Sequence, residues 1–195
     1  MNTKPQLVLD IGGVLLANLS PLFWQELTSD TVITHAELTS RYKAQMSEAL
    51  WRGAITEEQF WHWICEQCSS IDGGHARALL RSKLTPLPAL NLLPEWSRIA
   101  DIHLLSNHRM EWIMPCLASV EPFIQSMTIS SQVGVSKPHA PIYRHAASEL
   151  RPSQRVLFVD DLETNLLEAS RLGWDTLLAD EQGAWLHKVI PLLTK

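Results

Sequence analysis

Apolar positions along this chain follow two rhythms. Leu7-Val8-Leu9, Leu104-Leu105 and Leu157-Phe158-Val159 are short runs with no polar alternation, as expected of strands buried on both faces. Each run ends abruptly in polar residues: Asp10 before Gly12-Gly13, then Ser106-Asn107, then Asp160-Asp161. Between the runs, apolar residues recur at helical spacing. The first strand is expected over 5–16, running into a Gly-Gly turn. A helix near 88–99 then precedes a strand at 101–105, and a helix near 109–119 precedes a short strand around 126–130. A helix over 138–150 precedes a strand at 155–159. A helix over 163–172, ended by Gly173 as the residue after the cap, precedes a last strand near 174–178. Such alternation predicts an α/β fold, with a parallel sheet and helices on both of its faces.

Residues 20–83 break the alternation. They contain no convincing strand, and Phe60, Trp61, Ile64 and Cys65 recur as on a helix. Thr56 with Gln59 three residues later predicts an N-cap and capping box, and Ile71-Asp72-Gly73-Gly74 predicts a break. Trp24, Trp51, Trp61, Phe23 and Phe60 make the segment rich in aromatic rings. It reads as a helical insertion at 18–85 within a core built from 1–17 and 86–195. The Pro-punctuated Thr85-Pro86-Leu87-Pro88 marks the return.

Composition narrows the classes of function. A net charge of −5 offers no basic footprint for nucleic acid or an anionic membrane. No apolar run approaches the roughly 20 residues of a membrane span. The polar start, Met1–Gln6, does not resemble a signal peptide, so a cytoplasmic location is the expectation. Three cysteines make a disulfide framework improbable. Cys65 and Cys68 form a C-x-x-C after His62, but on a helix and without a second pair, so packing is the simpler reading.

In an open α/β sheet, ligands bind at the carboxyl ends of the strands, so the polar clusters should converge there. An Asp, a Ser, a Lys and an Asp pair are suitable parts for moving a phosphoryl group. Lys137, before Pro138, should sit at the first turn of a helix. Asp10 beside two further carboxylates implies repulsion on the order of a few kcal/mol, which a hard divalent cation with oxygen ligands would relieve. Ser106 with nearby backbone N–H groups suits a phosphate cradle.

Together, Asp10-Ile11-Gly12-Gly13-Val14, Ser106-Asn107, Lys137-Pro138 and Asp160-Asp161 with Asn165 resemble, in order and spacing, the four motifs of the haloacid dehalogenase-like (HAD) hydrolase superfamily. The resemblance covers essentially the whole chain. It implies a Rossmannoid parallel-sheet core with residues 18–85 as a C1-type cap. It also implies hydrolysis of a small phosphorylated metabolite through an aspartyl-phosphate on Asp10. Ser106, Asn107 and Lys137 would hold phosphate, and Mg²⁺ would be bound by Asp10, the backbone carbonyl of Gly12 and Asp161. Asp160 would act through water or by orienting Lys137. Arg52 on the cap could reach an anionic or sugar substrate.

One departure stands out. Active phosphatases of this superfamily usually carry a second Asp two residues after the nucleophile, where this chain has Gly12. Loss of such a general acid–base costs about 10²–10⁴-fold. Three expectations follow. The first is a phosphatase for substrates with a good leaving group, and the local texture resembles a bacterial branch that acts on sugar phosphates such as α-glucose 1-phosphate. The second is a catalytically weak phosphate-binding or regulatory protein. The third is a metal-independent dehalogenase, which the Asp160-Asp161 pair disfavours. His108 and His139 are candidate substitute acids, though a surface or helix-start position is the simpler reading for both.

Overall fold

The computed structural model describes residues 4–195, so the first three residues of the polar N-terminal segment lie outside the described residues. Strand β1 (Gln6–Leu9) leads into five helices, α1 (Leu22–Leu27), α2 (His35–Gln45), α3 (Ser47–Trp51), α4 (Glu57–Gln67) and α5 (Gly73–Lys83). A 3₁₀ turn (Pro88–Leu92) and α6 (Leu93–Trp96) precede β2 (Asp101–Ser106). Then come α7 (Met110–Leu117), a second 3₁₀ turn (Glu121–Phe123), β3 (Ile124–Ile129), α8 (Ser130–Val133) and α9 (Ala140–Glu149). The chain ends with β4 (Val156–Asp160), α10 (Glu163–Arg171), β5 (Asp175–Leu178) and α11 (Leu186–Leu193).

The five strands form one parallel sheet in the order β3-β2-β1-β4-β5. β1 is central, and the chain order reverses on either side of it, which places the crevice for a ligand at its carboxyl end. Alternate residues of the central strands enter opposite packing layers. Leu7, Leu9, Leu104 and Val159 join the layer that also holds Trp96 and Leu117. Val8, Leu105 and Phe158 pack with Ile142 and Tyr143 of α9 and Leu166 and Ala169 of α10. Burial on both faces explains why these strands read as unbroken apolar runs.

The helices between β1 and β2 grow out of a narrow neck. Ala17 N–H donates to the Thr85 carbonyl at 2.8 Å and Leu87 N–H to the Leu15 carbonyl at 2.9 Å, so the departing and returning chains run side by side. Thr56 caps α4 with the full reciprocal box to Gln59. Asp72 caps α5 through His75 N–H. The Gly73-Gly74 pair therefore opens a helix, and the break lies just before it. Cys65 and Cys68 are both free, and Cys68 packs into the apolar core.

Several boundaries differ from the sequence reading. β1 ends at Leu9, and the Gly-Gly segment is a turn closed by Leu15 and Leu16 N–H groups on the Ile11 carbonyl. The helix expected at 88–99 is a 3₁₀ turn followed by four α-helical residues, because Pro88 and Pro94 each restart the backbone. α9 begins at Ala140, with Pro141 in its first turn, so Lys137 and Pro138 lie in the loop before the helix rather than at its first turn. α11 completes the apolar layer with Val189 and Leu193 and had no counterpart in the reading. Among the described residues no helix is long and apolar enough to cross a membrane.

Candidate active site

Asp10 follows the last residue of β1, and its backbone N–H donates to the Val159 carbonyl of β4 at 2.9 Å. Asp160 ends β4, and Ser106 ends β2, so three neighbouring strands deliver their polar termini to one place. Carboxylate oxygens of Asp10, Asp160 and Asp161 lie within 4.8 Å of one another. Lys137 Nζ enters this acidic cluster, 2.5 Å from Asp160 Oδ2 and 2.9 Å from Asp10 Oδ2. Burial alone would lower the Lys137 pKa. The two carboxylates outweigh that and raise it, so the ammonium stays charged.

The rest of the hydrogen bonding divides the three carboxylates. Asp160 is saturated: Oδ1 accepts from Leu162 N–H and Asn165 Nδ2 at 2.9 Å each, and Oδ2 accepts from Lys137. Asp10 Oδ1 accepts from Ile11 N–H at 2.7 Å. Asp161 accepts from Asn18 Nδ2 at 2.9 Å through Oδ2. Its carboxyl is pushed up from the ordinary range, first by burial, with the Asn18 bond opposing. Three carboxylates against one ammonium leave a net negative, oxygen-only cluster, which fits a hard divalent cation. Asp10 and Asp161 retain the oxygens to hold it, while Asp160 is committed to Lys137.

Asn107 is also committed. Its Oδ1 accepts from Lys137 N–H at 2.7 Å and its Nδ2 donates to the Lys137 carbonyl at 2.9 Å. The side chain thus clamps the lysine backbone, with one amide hydrogen and the main-chain groups of Asn107 left for a substrate. Arg52 does not reach the site. Its guanidinium bonds the Gly134 carbonyl at 2.8 Å and Glu48 at 2.9 Å, tying α3 to the loop after α8. His139 is exposed and precedes α9.

His108 departs from the surface reading. It is buried, edge-on to Trp51 and Trp112 at 5.6 and 6.1 Å between ring centroids. Arg109 N–H donates to its Nδ1 at 3.0 Å, which puts the remaining proton on Nε2. Burial lowers its pKa to about 4. His108 is therefore a neutral hydrogen-bond donor at neutral pH and not a proton source.

Asn18 was not singled out by the sequence. It fills the space over Gly12 and Gly13: a Cβ on Gly12 would stand 2.9 Å from Asn18 Oδ1. Gly13 has φ +70°, and a Cβ there would meet Asp161 Oδ2 at 2.2 Å. Gly13 is thus required by its left-handed backbone, while a side chain at Gly12 would displace the Asn18 amide. A cavity of about 560 Å³ opens from Asp10, Ser106 and Lys137 toward the helices α1–α4.

No family profile and no curated protein matches the sequence. Solved structures do. A HAD family enzyme from Bacteroides thetaiotaomicron has a TM-score of 0.80 at 20% identity, covering 96% of this chain and 99% of that one. The wild-type form of the same enzyme, in complex with magnesium and inorganic phosphate, has a TM-score of 0.79 at 21% identity, covering 94% of this chain and 98% of that one. A dehalogenase aligns over 100% of this chain and 99% of its own, with a TM-score of 0.66 at 20% identity. The chain shares the fold of these HAD family enzymes.

Proposed function

We propose that this chain is a Mg²⁺-dependent hydrolase that cleaves a phosphomonoester through an aspartyl-phosphate on Asp10. The observation that carries the reading is the buried Asp10–Lys137–Asp160 cluster at the ends of adjacent strands, with Asp161 and Ser106 beside it. A HAD family enzyme of the same fold that binds magnesium and phosphate supports it. The acidic cluster also favours phosphoryl over dehalogenase chemistry, because three carboxylates attract a cation that a metal-free site would not need.

Asp10, Asp161 and the Gly12 carbonyl would hold Mg²⁺, which supplies charge neutralisation between carboxylate and phosphate. An Asp10 oxygen attacks phosphorus, and a new O–P bond forms as the bond to the leaving oxygen breaks. The leaving oxygen departs with the electron pair and takes its proton from water. The Lys137 ammonium and the Ser106 hydroxyl hold the phosphoryl oxygens as charge grows. Water then adds to phosphorus, Asp10 departs as carboxylate, and the water proton passes to solvent.

The test is phosphate release from p-nitrophenyl phosphate by the full chain, with Mg²⁺ and with EDTA, beside Asp10→Asn. Turnover that needs Mg²⁺ and vanishes in the variant is expected. Metal-dependent turnover retained by Asp10→Asn would overturn the covalent route.

A further inference from the structure

The cavity that holds the phosphate end is walled by aromatic rings. Trp24 and Tyr42 lie 4.5 Å apart, Tyr42 and Phe60 6.1 Å, Phe60 and Trp112 5.7 Å, and Trp112 and His108 6.1 Å, measured between centroids. This series runs unbroken from the helical insertion to the residue two beyond Ser106, and all five residues border the one cavity, Phe60 from behind the others. Two polar atoms on the α2 side of that wall, Tyr42 Oη and His35 Nε2, are buried and have no hydrogen-bond partner. The Ser47 and Trp51 side chains reach the Tyr42 hydroxyl only weakly, enough to oppose in part the rise in its pKa that burial causes. The neighbouring Thr39 hydroxyl is occupied within its own helix, on the His35 and Ala36 carbonyls. Buried polar atoms left open are costly unless something else satisfies them.

The phosphate end supplies a second constraint. Gly12 has no side chain, His108 is neutral, and Lys137 is held between two carboxylates. None of these groups presents a proton to a departing oxygen, so the site suits an oxygen that is stable as an anion. Phenolic oxygens meet that condition and alkoxides do not.

Resting on the hydrolase reading above, we infer that the substrate is an aryl phosphate whose ring lies along the Trp24–Tyr42–Phe60–Trp112 wall and carries a hydroxyl or carbonyl for Tyr42 and His35. The ring gains from burial and from edge and face contacts with the aromatic wall. The distal polar group gives His35 Nε2 a partner and the Tyr42 hydroxyl a stronger one than Ser47 or Trp51. Ser20, Lys43 and Ser47 also line the cavity and could meet sugar hydroxyls, so a sugar phosphate is the competing substrate that the measurements below separate from an aryl phosphate.

Binding and turnover separate recognition from leaving-group ability. With Mg²⁺ present, phenylphosphonate and hydroxyphenylphosphonates, whose P–C bonds are not cleaved, should bind at least about tenfold more tightly than methylphosphonate by calorimetry. The best hydroxyphenyl isomer should exceed phenylphosphonate several-fold, and Tyr42→Phe, which keeps the ring, should erase that difference. Phenyl phosphate should turn over at least about tenfold faster in kcat/KM than glucose 1-phosphate. Binding of inorganic phosphate and methylphosphonate with no gain for the aryl compounds would overturn the inference while leaving the hydrolase intact. A preference for glucose 1-phosphate would do the same. Failure of inorganic phosphate to bind, with no ester turned over, would overturn both.

Discussion

Lys137 donates to Asp160 at 2.5 Å, and neither side chain has appreciable access to solvent. Asp160 holds the ammonium in place for Asp10, and the Asn107 amide holds the same lysine by its backbone. Replacing Asp160 by Asn leaves a buried ammonium with one carboxylate fewer, and breaking a buried pair costs about 3–5 kcal/mol. Asp160→Asn should lower stability by that order in urea unfolding and abolish phosphate release. A loss under about 1 kcal/mol would show that the pair contributes little to the fold.

The two glycines after Asp10 offer a sharper probe of the proposed cation site. Gly13→Ala adds a methyl group at a left-handed φ and drives it into Asp161 Oδ2. Mg²⁺ binding by calorimetry should weaken by about 10–100-fold, the range for losing support of a metal ligand. Gly134→Ala is the control. It has a comparable φ of +75° but nothing within 4 Å of the added carbon. It should cost about 1 kcal/mol of stability and leave Mg²⁺ affinity unchanged.

These residues also mark what a sequence can reveal. Asp10, Ser106 and Asp160 were legible because each closes an apolar run, and a parallel sheet collects such ends at one edge. Asp161 followed from its neighbour. Lys137 was expected at the strand ends, where it lies, but misplaced at a helix start, since a Lys-Pro pair does not reveal that the helix waits for Pro141. Asn18 was hidden because its function is a contact with a residue 143 positions away. Tyr42 was hidden for a related reason: a ring at helical spacing reads as core whether or not a cavity runs past it. His108 was named as a candidate acid with a surface position as the simpler reading, and only packing shows it buried against Trp51 and Trp112. Arg52 was chosen for its charge and cap position, and only packing shows it turned toward Gly134.

Two buried histidines predict a pH dependence of stability. His103 lies between Gln6 Oε1 at 3.0 Å and Ser126 Oγ at 2.7 Å, and burial lowers its pKa to about 4, against a smaller upward pull from Asp101. His108 is lowered to about 4 by burial as well. Between pH 6.5 and 4 the unfolded chain takes up these two protons and the native chain does not, so stability falls as pH falls through that window. The contribution is fully present above pH 6.5 and amounts to a few kcal/mol for each residue at most. His103→Gln should flatten the slope of urea midpoint against pH between 6.5 and 4. An unchanged slope would mean that His103 is protonated in the native state.

Arg109 is the last case, and it concerns how the helical insertion is held over the site. Its guanidinium is buried and donates to the Ile55 carbonyl at 2.8 Å, to the Leu50 carbonyl at 3.2 Å and to Glu111 at 2.6 Å. Ser130 Oγ adds a bond to the Trp51 carbonyl at 2.5 Å. Carbonyls from the end of α3 and the following turn are therefore fastened to β2–α7 and β3–α8, on the side where Trp51, His108 and Trp112 line the cavity. Arg109→Ala leaves two carbonyls and Glu111 without this partner and should cost about 2–3 kcal/mol. It should also speed hydrogen exchange at residues 50–55 well beyond the global change, and raise KM more than it lowers kcat, because the wall moves while Asp10 and Lys137 stay in place. Uniform acceleration of exchange across the molecule would instead assign Arg109 to general stability, with no special hold on the cavity wall.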